Sequence, residues 1–223
     1  MLILAIDTST NIGTVAIYDS KKGVVGEITL NVKQNHSAIT MTTIDTLFNL
    51  IGIDKKEIDK IAVSIGPGSF TGIRIGVGLA KGLAYALKKP IAGVNELDLL
   101  ANIYSGDKKV IAMLDARKER VFSGVYKKKD DEFVLDGEYV AEELENVLKS
   151  VDEQTVFVGD GAFAYEEIIR EKLGDRCFFI RQSLNIPRAS LLAELAESKE
   201  DNLFTLEPYY VTKSQAEREK ESK

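Results

Sequence analysis

The chain has 223 residues, of which 44% are hydrophobic and 29% charged, and a formal net charge of −6. This is enough chain for one large or two small domains with a sizeable core. One cysteine, Cys177, excludes an internal disulfide and a cysteine-rich zinc site, one histidine, His36, excludes a two-histidine metal site, and the acidic balance argues against autonomous binding to nucleic-acid phosphates.

The first residues, MLILAIDTST, are apolar but short, lack a basic leader and are interrupted by Asp7, so they predict a buried strand over 2–6 and not a signal peptide. No apolar run approaches the roughly 18 residues of a membrane span, and a cytoplasmic location is expected. A polar turn over 7–11 precedes β-branched strands over 14–18 and 24–30, which make a meander. Apolar residues at helical spacing predict a helix over 36–51 that Gly52 can end. A buried strand is expected over 60–65, then a glycine-rich loop over 66–72, a helix over 73–87 stopped by Pro90, and a short helix over 96–104.

The pattern then repeats. Strands are expected over 109–114, 120–126 and 133–140, the last with a bulge or bend at Asp136–Gly137. A helix over 141–149, a strand over 155–158 ending in Gly159-Asp160-Gly161, a helix over 165–172, a strand over 177–180 and a helix over 189–198 follow. Lys127, Lys128 and Lys129 are followed at once by Asp130, Asp131 and Glu132, as at a solvated hairpin tip. Each half thus orders strand, strand, strand, helix, strand, helix. The expected fold class is α/β: a duplicated ribonuclease-H-like fold of the actin, hexokinase and Hsp70 type, two lobes with mixed sheets flanked by helices. The lobes are expected over 1–104 and 105–211, with a polar tail over 212–223.

Three motifs carry chemistry in such a fold. Asp7, Thr8 and Ser9 lie in the first turn, where backbone N–H groups can cradle phosphate and an aspartate can position a hydrated metal; a structural Asx or Ser/Thr turn fits the same residues. The run Gly66, Pro67, Gly68, Ser69, Phe70, Thr71, Gly72, Ile73, Arg74 follows a strand and opens a helix, as an anion loop would, or as a tight turn with Ser69 or Thr71 capping the helix. It is not a Walker A loop, because Ile73 and Arg74 follow Gly72. The second phosphate turn expected of a working ATPase is here Asp115-Ala116-Arg117-Lys118-Glu119-Arg120, without glycine, and Gly159-Asp160-Gly161 is a partial relic of the adenosine turn. Weak or absent ATP binding, and no other cofactor, is therefore expected. Cys177 fits an inert core position.

Gly72, Gly76, Ala80 and Ala84 recur every four residues, and Gly78 with Gly82 adds a second small stripe. Each mid-helix glycine costs about 1 kcal/mol against alanine, so close approach of another backbone must offset it, either within the domain or across a subunit interface. The first helix adds Ile39, Met41, Leu47 and Phe48, more apolar surface than one core-facing stripe needs, and His36 stands at its start as a helix-terminal or interface residue. These residues are the expected partner interface.

Taken together, ILAIDTST from Ile3, NHS from Asn35, GPGSFTGIRIG from Gly66, LDAR from Leu114 and EPYY from Glu207 resemble the TsaB (YeaZ) family along almost the whole chain. The ending differs from the P-x-Y-x-R form usual there, since Thr212 and Lys213 follow Val211. The resemblance implies a shortened, non-catalytic paralogue of TsaD, the metal-holding catalytic subunit that places threonylcarbamoyl on adenosine 37 of tRNAs reading ANN codons. It implies a TsaD-like partner, a small TsaE-like ATPase in the assembly, a homodimer as an alternative pairing, and tRNA contact only through the complex. The competing readings are an active ATPase or sugar kinase, opposed by the glycine-free second turn, and a metallopeptidase, opposed by the single histidine.

Overall fold

Two sheets of the same design carry the chain, which a computed structural model describes at residues 1–31 and 36–211, with backbone alone at 36–38. The side chain of His36 and the tail over 212–223 lie outside the described residues, and so do the expectations placed on them. The first sheet holds β1 (Leu2–Asp7), β2 (Ile12–Asp19), β3 (Gly23–Asn31), β4 (Lys60–Gly66) and β5 (Ile91–Asn95) in the order β3-β2-β1-β4-β5. The second holds β6 (Lys109–Asp115), β7 (Arg120–Lys129), β8 (Glu132–Leu135), β10 (Thr155–Val158) and β11 (Cys177–Phe179) in the order β11-β10-β6-β7-β8, while β9 (Val140–Glu143) also pairs with β7. Counted outward from β1 and from β6, the two orders are the same: an antiparallel meander on one side, parallel strands on the other. The fold is a duplicated ribonuclease-H-like unit.

Strand β1 shows why its sequence is continuously apolar. Leu4 and Ile6 face α1 (His36–Ile51) and α2 (Phe70–Leu87), while Ile3 and Ala5 face α7 (Ala189–Leu195). Alternate residues thus enter two cores, as in a sheet covered on both faces. In the second sheet, α4 (Leu144–Lys149) and α6 (Glu166–Leu173) cover one face. The other face meets α3 (Glu96–Ala101), which gives Leu99 to the first lobe and Leu97 and Leu100 to the second. Helix α3 is the wedge between the lobes.

Several expectations change. β5 is a strand where the sequence carried no expectation between Pro90 and the helix over 96–104, being only five residues with Gly93 at its centre. Helix α2 begins at Phe70, inside the expected loop, because Ser69 caps it: the Ser69 hydroxyl accepts the Gly72 N–H. The expected strand over 133–140 divides, since the chain turns at Gly137 (φ +110°) and its two pieces both pair with β7. The expected helix over 141–149 consequently starts only at Leu144, and a short helix, α5 (Asp160–Ala164), follows the Gly159 turn. The second lobe also loses its end. Helix α7 and the segment after it lie on the first sheet, so residues 189–210 of the expected 105–211 lobe pack with the first. Lys60 of β4 secures that return: its buried side chain donates to the carbonyls of Ala196, Glu197 and Lys199 at 3.2, 2.8 and 2.7 Å, tying β4 to the turn that follows α7.

Candidate functional site

The turn after β1 and the glycine loop after β4 meet at the mouth of the cleft between the lobes. Their backbone groups are turned toward each other. Ser9 N–H and Ser9 Oγ both donate to Asp7 Oδ1, at 2.8 and 2.7 Å. Ser69 N–H donates to the Ser9 carbonyl at 2.6 Å, and Thr8 Oγ1 donates to the Gly72 carbonyl at 2.7 Å. A Cβ on Gly68 would strike the Ser9 carbonyl, and one on Gly72 the Thr8 carbonyl. Gly68 and Gly72 are therefore required by the approach of the first turn. Asp7, Thr8 and Ser9 are buried, and the Gly66–Pro67 peptide is cis.

Behind Asp7 sits a residue the sequence did not single out. Glu96, the first residue of α3, is fully buried and accepts from Ser64 Oγ at 2.8 Å. Burial, reinforced by the neighbouring Asp7 carboxylate, holds its carboxyl well above the usual range, so it stays neutral as pH rises past the ordinary carboxylate value. No periodicity or motif marks Glu96; only an acid at a strand-to-helix junction hinted at it.

The second turn is closed from within. Arg117, Lys118 and Glu119 all take left-handed backbone conformations, at φ +67°, +54° and +56°. Three such residues without glycine carry strain that the surroundings must offset. Asp115 Oδ1 accepts from Arg117 N–H and Tyr165 Oη, each at 2.8 Å, and Tyr165 Oη accepts from Glu119 N–H. Gly159 is paired in both directions with the Asn185 amide, and Gly161 lies against the backbone of β6. Asp160, exposed to the cleft beside Asp115, accepts the Asp115 N–H at 3.0 Å; desolvation pushes its carboxyl upward against that bond.

Between these turns lies a cavity of about 410 Å³, lined by Ser9, Thr10, Ser69, Asp115, Arg117 and Asp160 among others. A second of about 230 Å³ shares Thr10, Asn11, Leu114 and Asp160 with it and continues toward Asn185 and Pro187. The carboxylates of Asp115 and Asp160 and the guanidinium of Arg117 thus line the larger cavity together. Among the described residues, no three His, Cys, Asp or Glu side chains are grouped to hold a metal ion.

The expected interface residues are placed otherwise. Gly72, Gly76, Ala80 and Ala84 all face inward: Ala80 and Ala84 are fully buried in the first core, and a Cβ on Gly76 would sit 2.6 Å from Thr8 Oγ1. Leu47 and Phe48 are core residues too, and Met41 packs against that core while half-buried, as Ile39 is. The stripe of small residues is an intradomain contact that lets α2 lie close on β1 and β4. The outward side of α2 instead carries Arg74, Gly78, Gly82 and Tyr85, and beside it α1 exposes Leu50. Beyond the surrounding turns of α2 itself, nothing lies within 4 Å of where a Cβ on Gly78 or Gly82 would be.

Comparison with known proteins follows the same lines. The model of a family described as TsaD, tRNA N6-adenosine threonylcarbamoyltransferase, matches residues 9–220. The tRNA threonylcarbamoyladenosine biosynthesis protein TsaB of Bacillus subtilis (strain 168) is 34% identical over 222 residues, covering 97% of this chain and 96% of that protein. A tRNA N6-adenosine threonylcarbamoyltransferase of Chlorobium phaeobacteroides is 35% identical over 99 residues, covering 44% of this chain and 27% of that enzyme. The solved structure of YeaZ from Pseudomonas aeruginosa, 28% identical, superposes with a TM-score of 0.80 over 94% of this chain and 99% of that one.

Proposed function

This chain belongs to the TsaB family, within the wider TsaD family whose model spans it, and on that premise we propose that it is the accessory subunit for threonylcarbamoylation of adenosine 37 in tRNAs reading ANN codons, acting by binding a TsaD-like catalytic subunit. The observation that carries the non-catalytic part is the mutual closure of the two loops. The N–H groups of Ser9 and Ser69, which would cradle a phosphate, are already donated to Asp7 and to the Ser9 carbonyl. Asp115 and Asp160 then face the space beyond, so an incoming phosphate meets like charge where a working ATPase presents glycine N–H groups.

The partner docks, in this reading, on the outward face of α2 and the adjoining α1. Gly78 and Gly82 cost about 1 kcal/mol each against alanine and touch nothing within the monomer, whereas a second helix laid across them could come close. The catalytic relative shares sequence with this chain, so a like-with-like pairing of helices accounts for both a heterodimer and a competing homodimer. A TsaE-like ATPase would join that assembly, and tRNA would reach it through the complex.

Calorimetry tests both halves. Titration with a TsaD-like subunit should give saturable binding, and titration of the isolated chain with Mg-ATP should give none. Micromolar ATP affinity with turnover would favour the ATPase reading, and failure to bind the subunit would remove the scaffold role.

A further inference from the structure

We infer that residues 201–210 form a strap that fixes the glycine loop and the start of α2. The strap is anchored first on the edge of the first sheet. Asp201 N–H donates to the Ile91 carbonyl at 2.8 Å, and Asp201 Oδ2 accepts the Gly93 N–H at 2.8 Å. It then crosses α2, where the Lys81 ammonium donates to the carbonyls of Phe204 and Leu206 at 3.3 and 2.8 Å. Leu206 enters the core of the first lobe.

Its last residues grip the loop. Tyr209 N–H donates to the Ile65 carbonyl at 2.8 Å, and a Cβ on Gly66 would sit 3.1 Å from the Tyr209 carbonyl oxygen and 2.6 Å from Ile73 Cδ1. The Tyr210 ring stacks on Phe70 at 4.7 Å with an interplanar angle of 27°. Arg74 Nε donates to Tyr210 Oη at 2.9 Å while its guanidinium lies 3.8 Å over the Phe70 ring. Phe70 and Arg74 belong to the first turn and a half of α2, and Phe70 also lines the cleft.

The same strap reaches the second lobe. The Tyr209 ring meets Tyr139 edge-on at 5.5 Å, and Tyr139 Oη donates to Asp98 on α3 at 2.8 Å, beside Tyr126. Tyr209 and Tyr210 are each 37% exposed, so they add little to the core. Their contacts join the loop, the cleft and the wedge helix, and releasing them frees the loop while leaving both sheets intact. The consequence for partner binding, unlike the strap itself, rests on the docking face proposed above.

Hydrogen exchange on the full chain tests it. In Tyr210→Ala and in Arg74→Ala, the amides of residues 70–76 should exchange about tenfold faster, as loss of a ring stack, a cation–π contact and a hydrogen bond implies. The amides of β10 should keep their rate, and Tyr210→Phe, which retains the stack, should restore most of the protection. Unchanged exchange over 70–76 in both alanine variants, or equal loosening of β10, overturns the strap. Association with the TsaD-like subunit is measured on the same variants. Faster exchange with weaker association supports strap and docking face together; faster exchange with unchanged association supports the strap and moves the partner to another surface.

Discussion

Gly76→Leu and Ala80→Leu will each destabilise the isolated chain by about 3 kcal/mol, the upper end of the usual overpacking range. At Gly76 the added side chain runs into Thr8 Oγ1, which already donates to the Gly72 carbonyl, and Val63 lies just beyond. At Ala80 there is no exposed edge into which three further carbons can turn. Gly78→Leu and Gly82→Leu should behave oppositely. Each replaces an exposed mid-helix glycine in open space, so the monomer should gain roughly 0.5–1 kcal/mol from helix propensity alone. The same two substitutions should weaken association with the TsaD-like subunit by about tenfold or more, by holding the helices apart. Urea denaturation of the four variants, followed by calorimetric titration, separates inward from outward stripe. Stable Gly76→Leu protein would contradict the inward assignment, and normal binding by both outward variants would contradict the docking face.

Replacing Glu96 by glutamine will change how stability depends on pH. Burial and the Asp7 carboxylate raise the Glu96 carboxyl in the folded chain, whereas the unfolded chain titrates near the ordinary 4.5. The folded state therefore binds the extra proton. Its stabilising effect is complete below that ordinary value and is lost as pH rises through the raised one, at about 1.4 kcal/mol per pH unit. Glutamine keeps an oxygen for Ser64 Oγ and carries no proton to lose. The Glu96→Gln chain should accordingly show a flatter stability profile above pH 5 and exceed the parent near pH 7. Parallel profiles for the two chains would refute a neutral buried Glu96.

How far the sequence reaches can be judged from particular residues. Continuous apolar runs located β1, β4, β6 and β10, because strands covered on both faces leave no alternation to misread. The duplication was visible in element order alone. The motif GPGSFTG marked a real junction, and of its two candidate caps Ser69 is the one used. The direction of the small stripe was not visible: Gly72-Gly76-Ala80-Ala84 and Gly78-Gly82 have the same spacing, and only contact with Thr8 tells the buried row from the open one. Glu96, and what the tyrosines of the EPYY motif touch, escaped for a related reason. Their partners lie 32 residues away at Ser64 for Glu96, and 136 residues away at Arg74 for Tyr210. No local pattern encodes such separations.

The most direct measurement is threonylcarbamoyl transfer to tRNA with purified components. The chain alone, given tRNA and the activated threonylcarbamoyl donor, should modify nothing, and adding it to a TsaD-like subunit with the TsaE-like ATPase should raise modification well above that of the same mixture without it. Transfer by the chain alone, or full activity of the mixture in its absence, would contradict an accessory subunit that works by docking.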